Sequence, residues 1–419
     1  MAGGPVRHSF SDGGSSRTPA ASSHTRTLPV LLFLLFRGSS QYSWKKFMAA
    51  RTRKEGWLMR FDGIRAGISA LALLPLWLAS LSCSDAGSDT GPFRELKVRG
   101  GAEQLSTSGS YLVYEAPAPE DLMYVWTWND LERPASKVRI GRTLTTACTF
   151  EGRPVLEDSE KTKDDASGAI VVLEDFVSNH RRKRWDLGPD FYCQELRSSR
   201  NGKYIAVVAG GNRLLGDKMP LHMLARLGVI STQKESLTWV ATLKCVGGGI
   251  GPRLTTVGIS EDGQFMAAVG GKSGAWILVA NVPQERVLWQ NVPTGSVAFA
   301  DVVFSPSGRE VYAAGGGGRV YGFEVATGKT ISDWVVHESG KPKYGHRVTR
   351  LAMSPDGRWL GVGTGPKGNV CVFEREGGKR VGQFNTKDAT IMGLAFSPDS
   401  SLLATAGVRS KTIKIWRLR

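Results

Sequence analysis

A turn that keeps returning constrains this chain more than any other feature. Ser354-Pro355-Asp356-Gly357 joins a Pro that presets φ to a Gly that accepts the positive φ of a tight turn. An alternating run, Val348 to Ser354, precedes it and an apolar run follows, so the stretch reads as a hairpin of two antiparallel strands. Related stretches are Ser397-Pro398-Asp399-Ser400, Ser305-Pro306-Ser307-Gly308, Ser260-Glu261-Asp262-Gly263, Ser199-Arg200-Asn201-Gly202 and Ser106-Thr107-Ser108-Gly109. Thr149-Phe150-Glu151-Gly152 is a degraded copy. From Ser106 onward the spacings are 43, 50, 61, 45, 49 and 43 residues. Seven copies at about this period fit a repeated four-stranded unit better than a helical solenoid.

The expectation is therefore an all-β chain: a seven-bladed β-propeller of four-stranded antiparallel blades. Third strands are expected at Met123–Trp128, Ala169–Glu174, Leu227–Ser231, Ala275–Ala280, Arg319–Val325, Asn369–Glu374 and Thr412–Trp416. Fourth strands are expected at Lys137–Ile140, Lys183–Leu187, Ser236–Leu243, Glu285–Asn291, Lys329–Val336 and Lys379–Asn385. The chain ends just past the last third strand, so the last blade lacks an outer strand. Phe93–Arg99 alternates like a strand and has no blade of its own. It is expected to pair beside Thr412–Trp416 and close the ring as an N-terminal outer strand, which removes an open sheet edge.

The motif order carries a resemblance. Ser-Pro-Asp-Gly after an apolar strand, then Leu403–Gly407 (Leu-Ala-Thr-Ala-Gly), then Thr412–Trp416 (Thr-Ile-Lys-Ile-Trp), resembles the WD-repeat family. Gly345-His346 sits where that family often carries a Gly-His pair. The resemblance covers residues 93–419 and departs from the pattern at Trp416, which Arg417 follows in place of Asp. It implies a non-enzymatic scaffold for a protein or peptide partner, with two unlike faces. One face collects the Ser-x-Asp-Gly turns. The other collects the second-to-third hairpins and the connections between blades. That second face holds the variable loops: Ala116–Asp121, Glu157–Ser167, Ala209–Arg226, Lys244–Arg253, Gly315–Gly318, His337–Arg347, Gly363–Gly368 and Gly407–Lys411. Its candidate partner-binding residues are Arg213, Lys218, His222, Arg253, Lys341, Lys343, Tyr344, Arg347, Lys367, Arg409 and Lys411, which suit an acidic partner.

Composition bears mainly on the N-terminus. The net charge is +16, and residues 1–58 hold nine Lys or Arg against two acids. They read as disordered, or as an over-extension upstream of the true start. Met59–Arg65 is a short basic segment, Ala66–Leu81 is apolar, and small residues surround Cys83. That is the form of a secretory signal, and it resembles a bacterial lipoprotein box with lipidation at Cys83. An uncleaved anchor over 59–83 and an organelle transit peptide are the alternatives, and a cytoplasmic location is a further one. Residues 84–92 read as a linker to the domain at 93–419.

Other motifs are weaker. His180–Trp185, a basic run expected at a third-to-fourth connection, disfavours nucleic acid because it lacks interleaved aromatics. Gly361–Gly365 and Gly247–Gly251 lack the Gly-Lys-Ser/Thr and following helix of a phosphate loop, and read as hairpin residues. Cys148, Cys193 and Cys245 fall at or before first strands and Cys371 in a third strand, with no metal or redox spacing. His180, His222, His337 and His346 form no spaced cluster, so no metal and no cofactor is expected. An extracytoplasmic propeller enzyme, lactonase-like or quinoprotein-like, is the alternative to a monomeric scaffold.

Overall fold

The computed structural model describes residues 91–99, 104–116, 122–139, 146–150, 153–161, 169–175, 182–188, 191–211, 222–246, 254–271, 275–293, 298–336, 347–365, 368–408 and 410–418. Every regular element among them is a strand. Six sheets each take four consecutive strands. The first holds β2 (Gln104–Ser108), β3 (Tyr111–Ala116), β4 (Leu122–Thr127) and β5 (Ser136–Arg139). The second holds β6 (Thr146–Phe150), β7 (Arg153–Lys161), β8 (Ala169–Asp175) and β9 (Arg182–Asp186). The third holds β10 (Phe191–Ser198), β11 (Tyr204–Gly211), β12 (His222–Ser231) and β13 (Ser236–Val246). The fourth holds β14 (Leu254–Ile259), β15 (Phe265–Gly271), β16 (Ala275–Asn281) and β17 (Arg286–Asn291). The fifth holds β18 (Phe299–Phe304), β19 (Glu310–Gly315), β20 (Arg319–Glu324) and β21 (Thr330–Val335). The sixth holds β22 (Arg347–Met353), β23 (Trp359–Gly365), β24 (Asn369–Glu374) and β25 (Arg380–Asn385).

The last sheet is composite. It joins β26 (Ile391–Phe396), β27 (Leu402–Gly407) and β28 (Thr412–Arg417) to β1 (Arg94–Lys97), in the order β1-β28-β27-β26. β1 runs antiparallel to β28, with Arg94 opposite Ile415 and Lys97 opposite Thr412. Beyond it, the Val98 N–H donates to the Lys411 carbonyl at 2.9 Å. Repeated four-stranded antiparallel sheets of this kind are β-propeller architecture.

Each turn works as its residue types dictate. The Ser354 hydroxyl donates to Asp356 Oδ1 (2.5 Å) and accepts the Trp359 N–H (2.8 Å). Asp356 Oδ1 also accepts the Arg358 N–H (2.9 Å), and the Gly357 N–H donates to the Ser354 carbonyl (2.9 Å). Gly357 sits at φ +74°, the left-handed region that a residue without Cβ enters freely. The same closure recurs at Ser199–Asn201, Ser260–Asp262 and Ser397–Asp399.

Burial follows position within the sheet. β23 is buried along its whole length, whereas the outer strands β21 and β25 alternate between exposed and half-buried. The apolar clusters lie mostly between neighbouring sheets. Tyr312, Leu360, Val362, Cys371 and Phe373, for example, pack the fifth sheet on the sixth.

Five expectations need correction. The charged segment Glu157–Ser167 begins as strand, since Glu157–Lys161 pair with Ala169–Leu173 in β8. The insert Ala209–Arg226 is likewise strand at both ends, paired from Ala209↔Arg226 to Gly211↔Leu224, and β13 runs on through Lys244–Val246. In each case, continuing the ladder satisfies backbone groups that a loop would leave to solvent. The run Arg182–Trp185 forms most of the outer strand β9, with Trp185 buried beside Leu187. Cys245 is in the outer strand β13, not near a first strand, opposite Met223. Cys371 is a buried free thiol whose pKa burial pushes up to about 11.

Candidate functional site

The first strands β2, β10, β14, β18, β22 and β26 line a cavity of about 230 Å³. It opens at the end where the turns lie, since Ser199, Ser305, Pro306 and Pro355 are on its wall. Five of these strands share one irregularity of register. In β10, β14, β18, β22 and β26 the pairing to the second strand slips by one residue at the same place, between Cys193/Glu195, Leu254/Thr256, Phe299/Asp301, Val348/Arg350 and Ile391/Gly393. Such a bulge re-aims the residue that follows it. The residues that follow are Glu195, Thr256, Asp301, Arg350 and Gly393, each four positions before a turn serine, and of these Asp301 and Arg350 line the cavity.

Four of these five join neighbouring sheets. Thr256 Oγ1 donates to Glu195 Oε1 (3.1 Å). Asp301 is buried, and its carboxylate accepts the Val302 N–H (2.9 Å) and, across the sheet boundary, the Leu351 N–H (2.8 Å). Arg350 Nε donates to the Met392 carbonyl (2.8 Å) and Nη1 to the Thr349 carbonyl (2.9 Å). Beside Arg350, the Thr349 hydroxyl donates to the Ile391 carbonyl (2.6 Å).

Charge on the wall is unevenly satisfied. Arg197 pairs with Glu195 (3.0 Å) and Arg200 with Glu261 (3.2 Å). Arg350 makes only its two bonds to neutral carbonyls, and among the described residues no carboxylate pairs with it. Part of its surface is open to the cavity, but the surrounding protein still displaces much of its water. Burial therefore lowers its pKa, the charge on Arg197 adds to that, and Asp301 and Glu195 oppose it. A guanidinium so placed can receive an oxyanion with a planar pair of donors.

The residues expected to bind a partner fall elsewhere. Arg347 opens β22 opposite Gly365 and is exposed. Lys411, also exposed, lies just before β28, and His222 opens β12. Strand direction puts all three at the sheet ends remote from the Ser turns. Arg213, Lys218, Arg253, Lys341, Lys343, Tyr344, Lys367 and Arg409 lie outside the described residues, as do Cys83, His180, His337, Gly345-His346 and Gly247–Gly251. Gly361, Gly363 and Gly365 are strand residues of β23 rather than hairpin tips. A Cβ on Gly363 would stand 2.7 Å from Ile391 Cγ2, so glycine there lets the next sheet approach.

The residues after the bulges are the ones that a search for motifs misses. They are separated by 61, 45 and 49 residues from Glu195 to Arg350, and no local pattern joins them. The usable signal is their constant offset from the turn serine. Among the described residues no group of three His, Cys, Asp or Glu could hold a metal ion, and no helix is long and apolar enough to cross a membrane.

Residues 378–417 match the family described as WD domain, G-beta repeat. The matched stretch spans β25 to β28, so one sequence repeat supplies the outer strand of one sheet and three strands of the next. Within this stretch Trp416 Nε1–H donates to Thr405 Oγ1 (2.9 Å), and both residues are buried. No curated protein matches the chain.

Proposed function

We propose that the chain is a seven-bladed WD-repeat-type propeller that acts as a non-enzymatic protein-interaction scaffold. The observation that carries this reading is the WD-repeat match at 378–417 set among repeated four-stranded antiparallel sheets. The pairing of β1 with β28 supports a ring closed by the N-terminal strand, as does the packing of β2 beside both β6 and β26. Rigid sheets with unlike loops at one end suit presentation of a docking surface. The end that bears Arg347 and Lys411 is the proposed docking face, and its basic side chains suit an acidic protein or peptide.

The scaffold is further proposed to be exported and held at a membrane by residues 59–83, with lipid on Cys83. This part rests on the signal-like order of charge, apolar run and small residues in the sequence. Affinity capture with the full chain, followed by capture with Arg347→Glu and Lys411→Glu, tests the docking face. Partners that bind the parent chain and both variants equally would overturn it. Mass spectrometry of the mature N-terminus from the membrane fraction tests the tether. A soluble chain that begins at Met1 and carries no lipid would overturn that part alone.

A further inference from the structure

The inner wall pairs two of its three arginines with carboxylates and leaves the third, Arg350, on backbone carbonyls only. The acids beside it are already engaged. Asp301 accepts two backbone N–H groups, Glu195 accepts from Arg197 and Thr256, and Glu261 accepts from the Arg200 and Asn201 N–H groups. A half-buried cation with no carboxylate in contact is costly, and an anion placed against it repays part of that cost.

We infer that the cavity binds a small oxyanion, a phosphate or a carboxylate, received by the Nη2 edge of Arg350. Nη2 makes no hydrogen bond among the described residues, whereas Nε and Nη1 are fixed by Met392 and Thr349, so the guanidinium is held in place before any ligand arrives. Fixing a fork of donors in advance reduces the ordering cost of binding. The cavity's size limits the ligand. At about 230 Å³ it is below the roughly 300–1,000 Å³ typical of sites for larger organic ligands, so a single small anionic group with a few waters fits it. Register supports a dedicated position: of the residues that follow the five bulges, Asp301 and Arg350 line the cavity, and Arg350 is the cation of the two. The depressed pKa of Arg350 agrees with a charge awaiting a partner.

The inference is independent of the scaffold reading, because the cavity opens at the turn end and the proposed docking residues lie at the other. The test is a titration of the full-length protein with sodium phosphate and, separately, sodium acetate, each against sodium chloride at equal ionic strength. Isothermal calorimetry and the melting temperature are the readouts. A saturable rise with phosphate assigns a phosphate site, and one with acetate assigns a carboxylate site. Arg350→Met should abolish either response. Arg350→Lys keeps the charge but not the fork, and should weaken binding about tenfold. If neither anion binds the parent protein more than chloride does, the inference fails, whatever the variants do. Binding that survives undiminished in a folded Arg350→Met protein also overturns it.

Discussion

The sixth sheet and the last sheet follow one plan 43 residues apart, Ser354 answering Ser397, and they solve the same problems with different residues. The sixth takes its outer strand, β25, from the next stretch of chain, whereas the last takes β1 from more than three hundred residues upstream. In the sixth, the third-strand aromatic is Phe373 with Val362 on the second strand. The equivalent positions in the last are Trp416 and Thr405, joined by a buried hydrogen bond. An aromatic from the preceding outer strand stacks on each: Trp334 on Phe373 (6.1 Å) and Phe384 on Trp416 (4.8 Å). The turns differ as well. Gly357 takes its positive φ without strain, while Ser400 adopts φ +61° and its hydroxyl accepts the Asp356 N–H of the neighbouring turn (3.2 Å). What the pair shares is strand register and the Ser–Asp turn bond; chain continuity and the chemistry of a given core position are free to vary.

The comparison breaks most sharply at the outer strand. Deleting Phe93–Arg99 should lower the melting temperature more than any point substitution, because it strips the ladder from β28 and removes the buried Leu96. Leu96→Ala alone should cost about 2–5 kcal/mol in chemical denaturation. An unchanged melt after the deletion would show that β1 is dispensable.

Converting the last sheet's core pair to the sixth sheet's pair is the next test. Thr405→Val leaves the Trp416 indole N–H buried without its acceptor and should cost about 1–3 kcal/mol. Thr405→Val with Trp416→Phe reproduces the Val362–Phe373 arrangement. A double-mutant cycle should then show a total cost smaller than the sum of the two single changes. Strict additivity would mean that the hydrogen bond does not couple the two residues.

Gly363 tests close approach between the two sheets. Gly363→Ala sets a methyl against Ile391 and should destabilise by about 1–3 kcal/mol, although the last sheet carries Ala406 at the equivalent position. A neutral result would show that β26 can shift.

The turns should respond least. Ser400→Gly relieves the left-handed backbone but gives up the hydroxyl that holds the Asp356 N–H, so the two effects should offset to within about 1 kcal/mol. Ser400→Ala keeps the strain and loses the bond, and should cost about 1 kcal/mol. Hydrogen bonds from Ser397 and Ser401 hold the Asp399 carboxyl below its usual pKa. Burial opposes the same shift at Asp356, but bonds from Ser354, Arg358 and Ser400 outweigh it. A depressed folded pKa adds stability above the ordinary carboxylate range, and that stability is lost as pH falls through the folded value. Asp399→Asn should therefore lose stability at neutral pH and lose less than the parent between about pH 4 and pH 2. Both turns are solvent-exposed, so screening keeps this effect small.

Much of the fold was legible because its signals are local. The Ser-x-Asp-Gly turns announce themselves through residue types that make the turn, and third strands such as Asn369–Glu374 and outer strands such as Arg380–Asn385 follow at fixed distances. The errors came where a ladder outran its loop signals. Charged Glu157–Lys161 stays in β7, and Gly210-Gly211 stays paired in β11, because backbone pairing continues while a partner strand lies alongside. Glu195, Thr256, Asp301 and Arg350 were not legible as a group, since they are 45 to 61 residues apart and share no residue type.

By itself the amino-acid sequence determined the period, the turn chemistry and the segment able to serve the last sheet as its outer strand. Those depend on interactions within a few residues or on a missing strand that can be counted. Only the tertiary structure decided that residues four places before successive turns bond across sheet boundaries, that Asp301 and Arg350 among them line one cavity, and that Arg350, alone among the arginines on its wall, pairs with no carboxylate of the described residues. That outcome depends on bulges in five strands and on neighbours 42 to 61 residues away, whose approach no local pattern encodes.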